Sequence, residues 1–371
     1  MSFIPFPLRW AAVAGAALTM LSLFNCGSGS EDLSASGGVG GTGVTVGEVS
    51  DYGSIFVNGI ELDTQQAEIF VEGSLAGSGD QAACTHLPIG QQVVVQGSIA
   101  DDSNGTALRV DAFYRVLGPV LAVEALDAQT LRLNVMGQTV FVDQATTLSG
   151  ISLTTLALDM VLQISGPVDG LGAIHAGHVA LVADPMTADR QVGIKGRVEL
   201  LNAPRRQFHI NGLTVDYSQV QVAPELLVEE RAIAVQGTFT DDILTAQSVQ
   251  AFDTENYDSV DYFSVDGFIT EPLTSNQWRM GDYRILIDAA TWFDGLGLGD
   301  LTTGIRIRAS GRMQDRLLVA RRVTAATRVR LESNLATVDV ANGILTLEGM
   351  ADIPIHVNIL TRIHGAALTM A

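Results

Sequence analysis

The side chains able to do chemistry in this sequence are few and dispersed. Aspartates recur after apolar residues at Leu62-Asp63, Val142-Asp143, Val215-Asp216 and Ile287-Asp288. A glycosidase pair needs two carboxyls about 5 to 10 Å apart in one cleft, and aspartates so far apart along the chain give no reason to expect one. Each ends a strand-like run, where a short carboxylate accepts a backbone N–H one or two residues on and sets a turn. His175 and His178 are three apart. On a strand that spacing puts them on opposite faces, unfit for joint metal ligation, and the register that aligns His178 with Arg109, Ser248 and Arg322 places it toward solvent. Cys84 and His86 would make a nucleophile and base only with a third, orienting group in a pocket, and they fall in a variable loop. Gly38 to Gly43 matches GxGxxG but lacks the strand before it and the helix after it that phosphate cradling requires. The acidic residues Asp101-Asp102, Asp241-Asp242 and Asp253, Glu255, Asp258, Asp261 and Asp266 lack the order and turn glycine of a calcium loop. They read as solvated turns and a linker. No catalytic residue, metal site or cofactor is assigned, and an enzyme is not expected.

One charge feature departs from the bulk. Between Gly304 and Arg330, the arginines Arg306, Arg308, Arg312, Arg316, Arg321, Arg322, Arg328 and Arg330 face a single acid, Asp315, although the chain carries a net charge of −20. Arg306 and Arg308, two apart, share a strand face, and guanidinium groups clamp phosphates and carboxylates bidentately. Two readings follow. Arg306, Arg308, Arg312 and Arg316 bind an anionic envelope component, such as a lipid phosphate, an acidic glycan or an acidic protein segment. Alternatively, the preceding acidic stretch, residues 253–271, folds against them.

Composition bounds the frame that must position these groups. In 371 residues, 47% are hydrophobic and 17% charged, with a mean hydropathy of +0.27; that is ample for packed cores and excludes wholesale disorder. Acids outnumber bases 41 to 21, so most of the surface repels a phosphate backbone and nucleic acid is not expected as a partner. Two cysteines exclude a disulfide scaffold or a four-cysteine zinc site.

At the N-terminus, Arg9 precedes an apolar run from Trp10 to Phe24, too short to span a bilayer of about 30 Å but suited to an export signal. Leu23-Phe24-Asn25-Cys26 resembles the bacterial lipoprotein box. That resemblance implies a signal peptide over residues 1–25, acylation of Cys26, and a membrane partner reached through that lipid. Asn25 departs from the small residue usual before the cysteine. Residues 26–44 then form a flexible tether, with seven glycines and four serines between Gly27 and Val44. By resemblance to bacterial sorting, Gly27 after the cysteine favours the outer membrane.

Beyond the tether, short alternating runs broken by turn residues predict an all-β protein. Asn58-Gly59, Asn211-Gly212 and Asn342-Gly343 each mark a two-residue hairpin. Four marks recur in order. A strand opens on Gly47, Gly118, Gly196 and Gly267, a hairpin ends in the aspartates above, a strand closes on Gly97, Gly166, Gly237 and Gly311, and an Ala-x-x-Val strand follows from Ala107, Ala176, Ala246 and Ala320. Units of about 70 residues with five strands predict tandem small OB-like barrels, kept separate rather than stacked as a solenoid. The predicted division is residues 45–115, 116–190, 191–260 and 261–328 as four full repeats and 329–371 as a partial fifth.

With the phrases Val49 to Ile60 and Ile89 to Gly97, these units resemble domain of unknown function 5666, a bacterial family of envelope-associated β-repeats. The resemblance implies the fold and setting and carries no activity or catalytic residue. The expected protein is a lipid-anchored, non-catalytic binding or structural module of the outer membrane. The alternative is a carbohydrate-active or other envelope enzyme, with Trp278, Trp292 and Phe293 lining a groove in the fourth unit. A single-strand nucleic-acid binder suits the barrel shape and conflicts with the charge and export signal.

Overall fold

The computed structural model describes residues 42–326, except 52–53, 100, 128, 188, 253–256 and 258, and beyond them 335–339, 344–349 and 355–356. Cys26, the signal peptide, Arg328, Arg330 and Asn342-Gly343 lie outside the described residues. The protein is all-β, with one α-helix, Gly79–His86, among the described residues.

The first segment closes into a five-stranded barrel. Thr42–Asp51 pairs antiparallel with Ile55–Val57, which pairs with Ile60–Asp63. Ile60–Asp63 runs parallel to Asn104–Ala112, which pairs with Gln92–Ile99, and that strand returns to Thr42–Asp51. Val57, Leu62, Val95 and Val110 fill the interior. The first strand begins at Thr42, so the last residues assigned to the tether are already in the sheet. Gly43, the end of the GxGxxG match, sits inside that strand, not in a loop before a helix.

In the fourth segment Ser259–Pro272, Gln277–Met280, Tyr283–Leu286, Leu317–Ala325 and Arg306–Gln314 pair in the same succession, the last returning to the first. In the second, Val116–Ala125, Leu131–Val135 and Gln138–Val142 pair in turn. The strand that follows them is split at Gly177 into Ile174–His175 and His178–Ala183, the latter joined through Val161–Ser165 back to Val116–Ala125. In the third, the opening strand is split into Val192–Arg197 and Glu199–Asn202. Beyond residue 326, Leu335–Asp339, Ile344–Leu347 and Ile355–His356 form a three-stranded antiparallel sheet.

The recurring sequence marks acquire local causes. Asn58 and Gly59 have φ of 57° and 77°, Asn211 and Gly212 of 46° and 83°, as a two-residue hairpin turn requires. The strand-closing glycines sit where the partner backbone passes too close for a side chain. A Cβ on Gly97, Gly166, Gly237 or Gly311 would lie 2.0, 2.1, 1.9 or 2.0 Å from the carbonyl oxygen of Thr106, His175, Thr245 or Val319. The register shifts beside Gly97, Gly237 and Gly311, the mark of a β-bulge that places one extra residue on the facing strand. The Ala-x-x-Val spacing follows. With Leu108 as the extra residue, Ala107 and Val110 both point inward although three apart.

The cores are not separate, contrary to the sequence expectation. Thr42–Asp51 of the first segment pairs in parallel with Ser259–Pro272 of the fourth, Gly43 opposite Tyr262 through Val46 opposite Val265, and Val44, Val46, Val94 and Phe113 belong to the fourth segment's core. The second and third segments share one continuous core and pair through Val116–Ala125 and Val192–Arg197. A solenoid coil is equally absent from the described residues, since strands of each segment pair mainly among themselves.

Candidate functional site

The sequence-predicted residues are placed as follows. Asp63, Asp143, Asp216 and Asp288 each accept, through Oδ1, the backbone N–H two residues on, from Gln65, Ala145, Ser218 and Ala290, at 2.7 to 2.9 Å. They are turn-setting groups. Cys84 and His86 lie on the α-helix Gly79–His86 instead of a loop.

The histidines lie in separate short strands, Ile174–His175 and His178–Ala183, and share no partner among the described residues. His175 Nε2 is 2.9 Å from Asp169 Oδ2 and its ring packs 4.4 Å from that of Phe268. His178 is buried, not solvent-facing, with Nε2 2.8 Å from Ser149 Oγ, and burial pushes its pKa down to about 4.

The arginine cluster is divided. Arg306, mostly buried, donates from Nε to Asp266 Oδ1 at 2.6 Å and from Nη2 to Glu48 Oε2 at 2.8 Å. Arg308 Nη2 lies 3.9 Å from Asp266. Arg312 pairs with Asp261 at 3.4 Å, both exposed, and Arg316 is exposed at a hairpin tip with φ 61°. Arg322 reaches Asp102 and Asp294 and packs 4.6 Å from the Trp292 ring. Asp261 and Asp266 come from the acidic stretch, so the internal pairing holds for Arg306 and Arg312. Trp278 is in the core, Trp292 is exposed beneath Arg322, and Phe293 packs on the core; they do not meet in one groove.

What sequence reasoning missed is the place where the segments converge. A cleft of about 470 Å³ is lined by Val46 and Gln92 of the first segment, Arg115 and Gln138 of the second, Lys195, Arg197 and Asn211 of the third, and Phe268, Arg279 and Asp282 of the fourth. Ion pairs join the segments beside it: Asp282 of the fourth receives Arg197 of the third at 3.1 Å and Arg115 of the second at 3.6 Å, while Arg279 pairs within the fourth with Glu271 at 2.6 Å. Asn211 Nδ2 donates to Gln138 Oε1 at 2.9 Å and to the Gly172 carbonyl at 2.7 Å. Lys195, deeply buried, pairs with Glu72 across the first and third segments. Burial lowers its pKa, and the Glu72 carboxylate opposes that shift. Two donors remain over: Gln138 Nε2, on a side chain only 2% exposed, and Arg115 Nε have no hydrogen-bond partner. A second cleft of about 450 Å³ lies between the first and third segments, with Phe113, Phe252, Tyr257, Gln96 and Gln236 on its walls.

An all-β chain carrying a closed five-stranded barrel, with clefts between its segments rather than a nucleophile or metal centre identified in them, belongs to a class defined by architecture. Comparison with protein families narrows it: the model for a domain of unknown function (DUF5666) matches residues 122–180 and again 266–324, so the chain carries this domain in tandem. Neither the curated proteins nor the solved structures contain a match.

Proposed function

We propose that this chain is a non-catalytic binding or structural protein of the bacterial cell envelope, held at the outer membrane by acyl chains on Cys26. In this reading residues 45–115, 116–190, 191–260 and 261–328 are four copies of one barrel, and 329–371 begin a fifth. The common succession of strand pairings and the four strand-closing glycines support that division. The observation that carries the binding role is the cleft where four segments meet, because its volume of about 470 Å³ and its mixed polar, charged and aromatic lining suit a bound molecule.

An acidic glycan, a lipid phosphate or an acidic protein segment would meet Arg312 and Arg316 at the exposed hairpin end. Arg306 is a structural cation in this account, since its charge faces Glu48 and Asp266. Exposed pairs such as Arg312 with Asp261 contribute about 0 to 1 kcal/mol and exchange readily for another anion.

Mass spectrometry of the chain isolated from envelopes tests the anchor. Cys26 is expected to be the first residue and to carry acyl chains, and Cys26→Ser is expected to release the protein from the membrane fraction. One thiol cannot carry a lipid and a disulfide together, so finding residues 1–25 intact, or Cys26 joined to Cys84, overturns the anchor. Exchanging Arg312 and Arg316 for Ser is expected to weaken retention on phosphate-bearing envelope material; unchanged retention removes the anionic partner.

A further inference from the structure

The second cleft holds the chain's single lysine: of 21 basic residues, 20 are arginine and one is Lys195. Going beyond the reading above, we infer that the Lys195 ε-amine captures a small uncharged aldehyde as an imine, with the Glu72 carboxylate carrying the protons. Elsewhere arginine supplies the cations, and a guanidinium stays protonated; a lysine amine can shed its proton and bond to a carbonyl carbon. Lys195 and Glu72 both line the cleft, with side chains 7% and 21% exposed, so the pair is screened from bulk water and reached from the cleft. Lys195 Nζ lies 3.7 Å from the Tyr114 ring centroid and 5.8 Å from that of Phe252, a ring that the Arg115 guanidinium also approaches, at 5.6 Å. Desolvation and a neighbouring cation are the two conditions that free a lysine amine for addition to carbonyls, and burial lowers its pKa here against the pull of Glu72.

The carboxylate is placed by a hairpin of the first segment, Glu68–Val71 and Ser74–Ser78. Glu72 stands at its tip with φ 51°. Its N–H donates to the Ala112 carbonyl at 3.0 Å and its Oε1 accepts the Tyr114 N–H at 2.8 Å, which leaves Oε2 on Lys195. The ammonium passes one proton to Glu72, and the freed lone pair bonds to the carbonyl carbon as the C=O π pair moves to oxygen. That oxygen takes a proton from the nitrogen, then a second from Glu72, and leaves as water while the nitrogen lone pair closes the C=N bond. Ammonium and aldehyde thus become iminium and water. The iminium keeps its positive charge against the Glu72 carboxylate, so an uncharged aldehyde leaves the buried charges as they were, whereas a charged one adds to them.

Treatment of the full chain near pH 7 with propanal and sodium cyanoborohydride, which reduces the imine to a stable secondary amine, followed by peptide mass mapping, tests the assignment. Lys195 is expected to be alkylated at least about tenfold faster in the native chain than in the same chain in urea, the lower range of what a positioned proton carrier supplies. With glyoxylate that native-to-unfolded ratio is expected to be smaller. Glu72→Gln is expected to slow the native reaction about tenfold or more. Gln250→Trp, which sets a bulky ring at an exposed position on the cleft wall, is expected to slow it with the melting temperature unchanged. Lys195→Arg gives the background from the chain's terminal amine. Native labelling that misses Lys195, a native rate at or below that in urea, a rate unmoved by both variants, or a larger ratio for glyoxylate overturns the inference. The comparison of native with unfolded parent needs no substitution, so the test stands even where Glu72→Gln fails to fold.

Discussion

Two side chains show how far a residue's role depends on partners remote in sequence. Arg306 holds Glu48 and Asp266, all three largely buried. Burial alone would make it less basic, and the attraction of Asp266 and Glu48 outweighs that, so it stays charged. Arg306→Met is expected to cost about 3 to 5 kcal/mol, because two carboxylates lose their counter-charge in a low-dielectric interior; a urea midpoint shift worth under about 1 kcal/mol would show that water reaches the trio. His178 gives a pH dependence. Its folded pKa, about 4, lies below the ordinary 6.5, so the unfolded chain takes up the proton first as pH falls. The neutral buried form stabilises the fold fully above about pH 6.5, and that contribution drains away toward pH 4. His178→Gln is expected to be flatter than the parent by about 2 kcal/mol between pH 7 and 5, read as melting temperature against pH; parallel curves would refute a neutral buried imidazole. The aspartates were legible because an Asx turn is closed within two residues. Arg306 was not, since Glu48 stands 258 positions away and no local pattern encodes that meeting.

At the scale of elements, glycine and alanine spacing carried most of the fold. A glycine that closes one strand and an Ala-x-x-Val in the next predict a bulge, because inward residues three apart need one extra residue between them. Gly97→Ala would force a methyl to 2.0 Å from the Thr106 carbonyl oxygen, and the strand pair must part or the bulge must shift. The expected loss is about 1 to 3 kcal/mol, measured by denaturant unfolding. Gly73→Ala, whose added methyl meets nothing within 4 Å but whose φ is +75°, separates crowding from backbone strain; equal losses would mean that crowding is not the cause. The hairpin tips carry a second pattern. They read Asn58-Gly59, Met136-Gly137, Asn211-Gly212 and Met280-Gly281, while Gly47 and Gly196 are 149 residues apart, as are Gly118 and Gly267. The asparagines face a neighbouring segment: Asn58 donates to Ser264 of the fourth at 3.1 Å and Asn211 to Gln138 of the second. Met136 and Met280 are instead buried in cores. Asn-Gly was readable as turn chemistry, but its amide's reach across an interface was not.

For the whole molecule, the joins decide which pieces can exist alone. The first segment has the closed barrel, yet Val44, Val46, Val94 and Phe113 are buried against the fourth segment, and Tyr262 of the fourth completes the first segment's core. Exposing four such side chains forfeits about 1.5 to 3 kcal/mol each, a sum comparable to the entire stability of an ordinary domain, about 5 to 15 kcal/mol. The parallel pairing of Thr42–Asp51 with Ser259–Pro272 would also be lost, leaving an open strand edge. A fragment of residues 42–115 is therefore expected to lack a cooperative thermal transition, and one of residues 259–326, added in trans, is expected to restore it, seen by calorimetry and amide exchange. The second and third segments, with their common core, are expected to melt together as residues 116–251. A sharp, independent transition from residues 42–115 alone would mean that the inter-segment strand pairing adds little. The ion pairs joining Glu72 to Lys195 and Asp282 to Arg115 and Arg197 would then merely bring finished barrels together, and the junction cleft would be free to open.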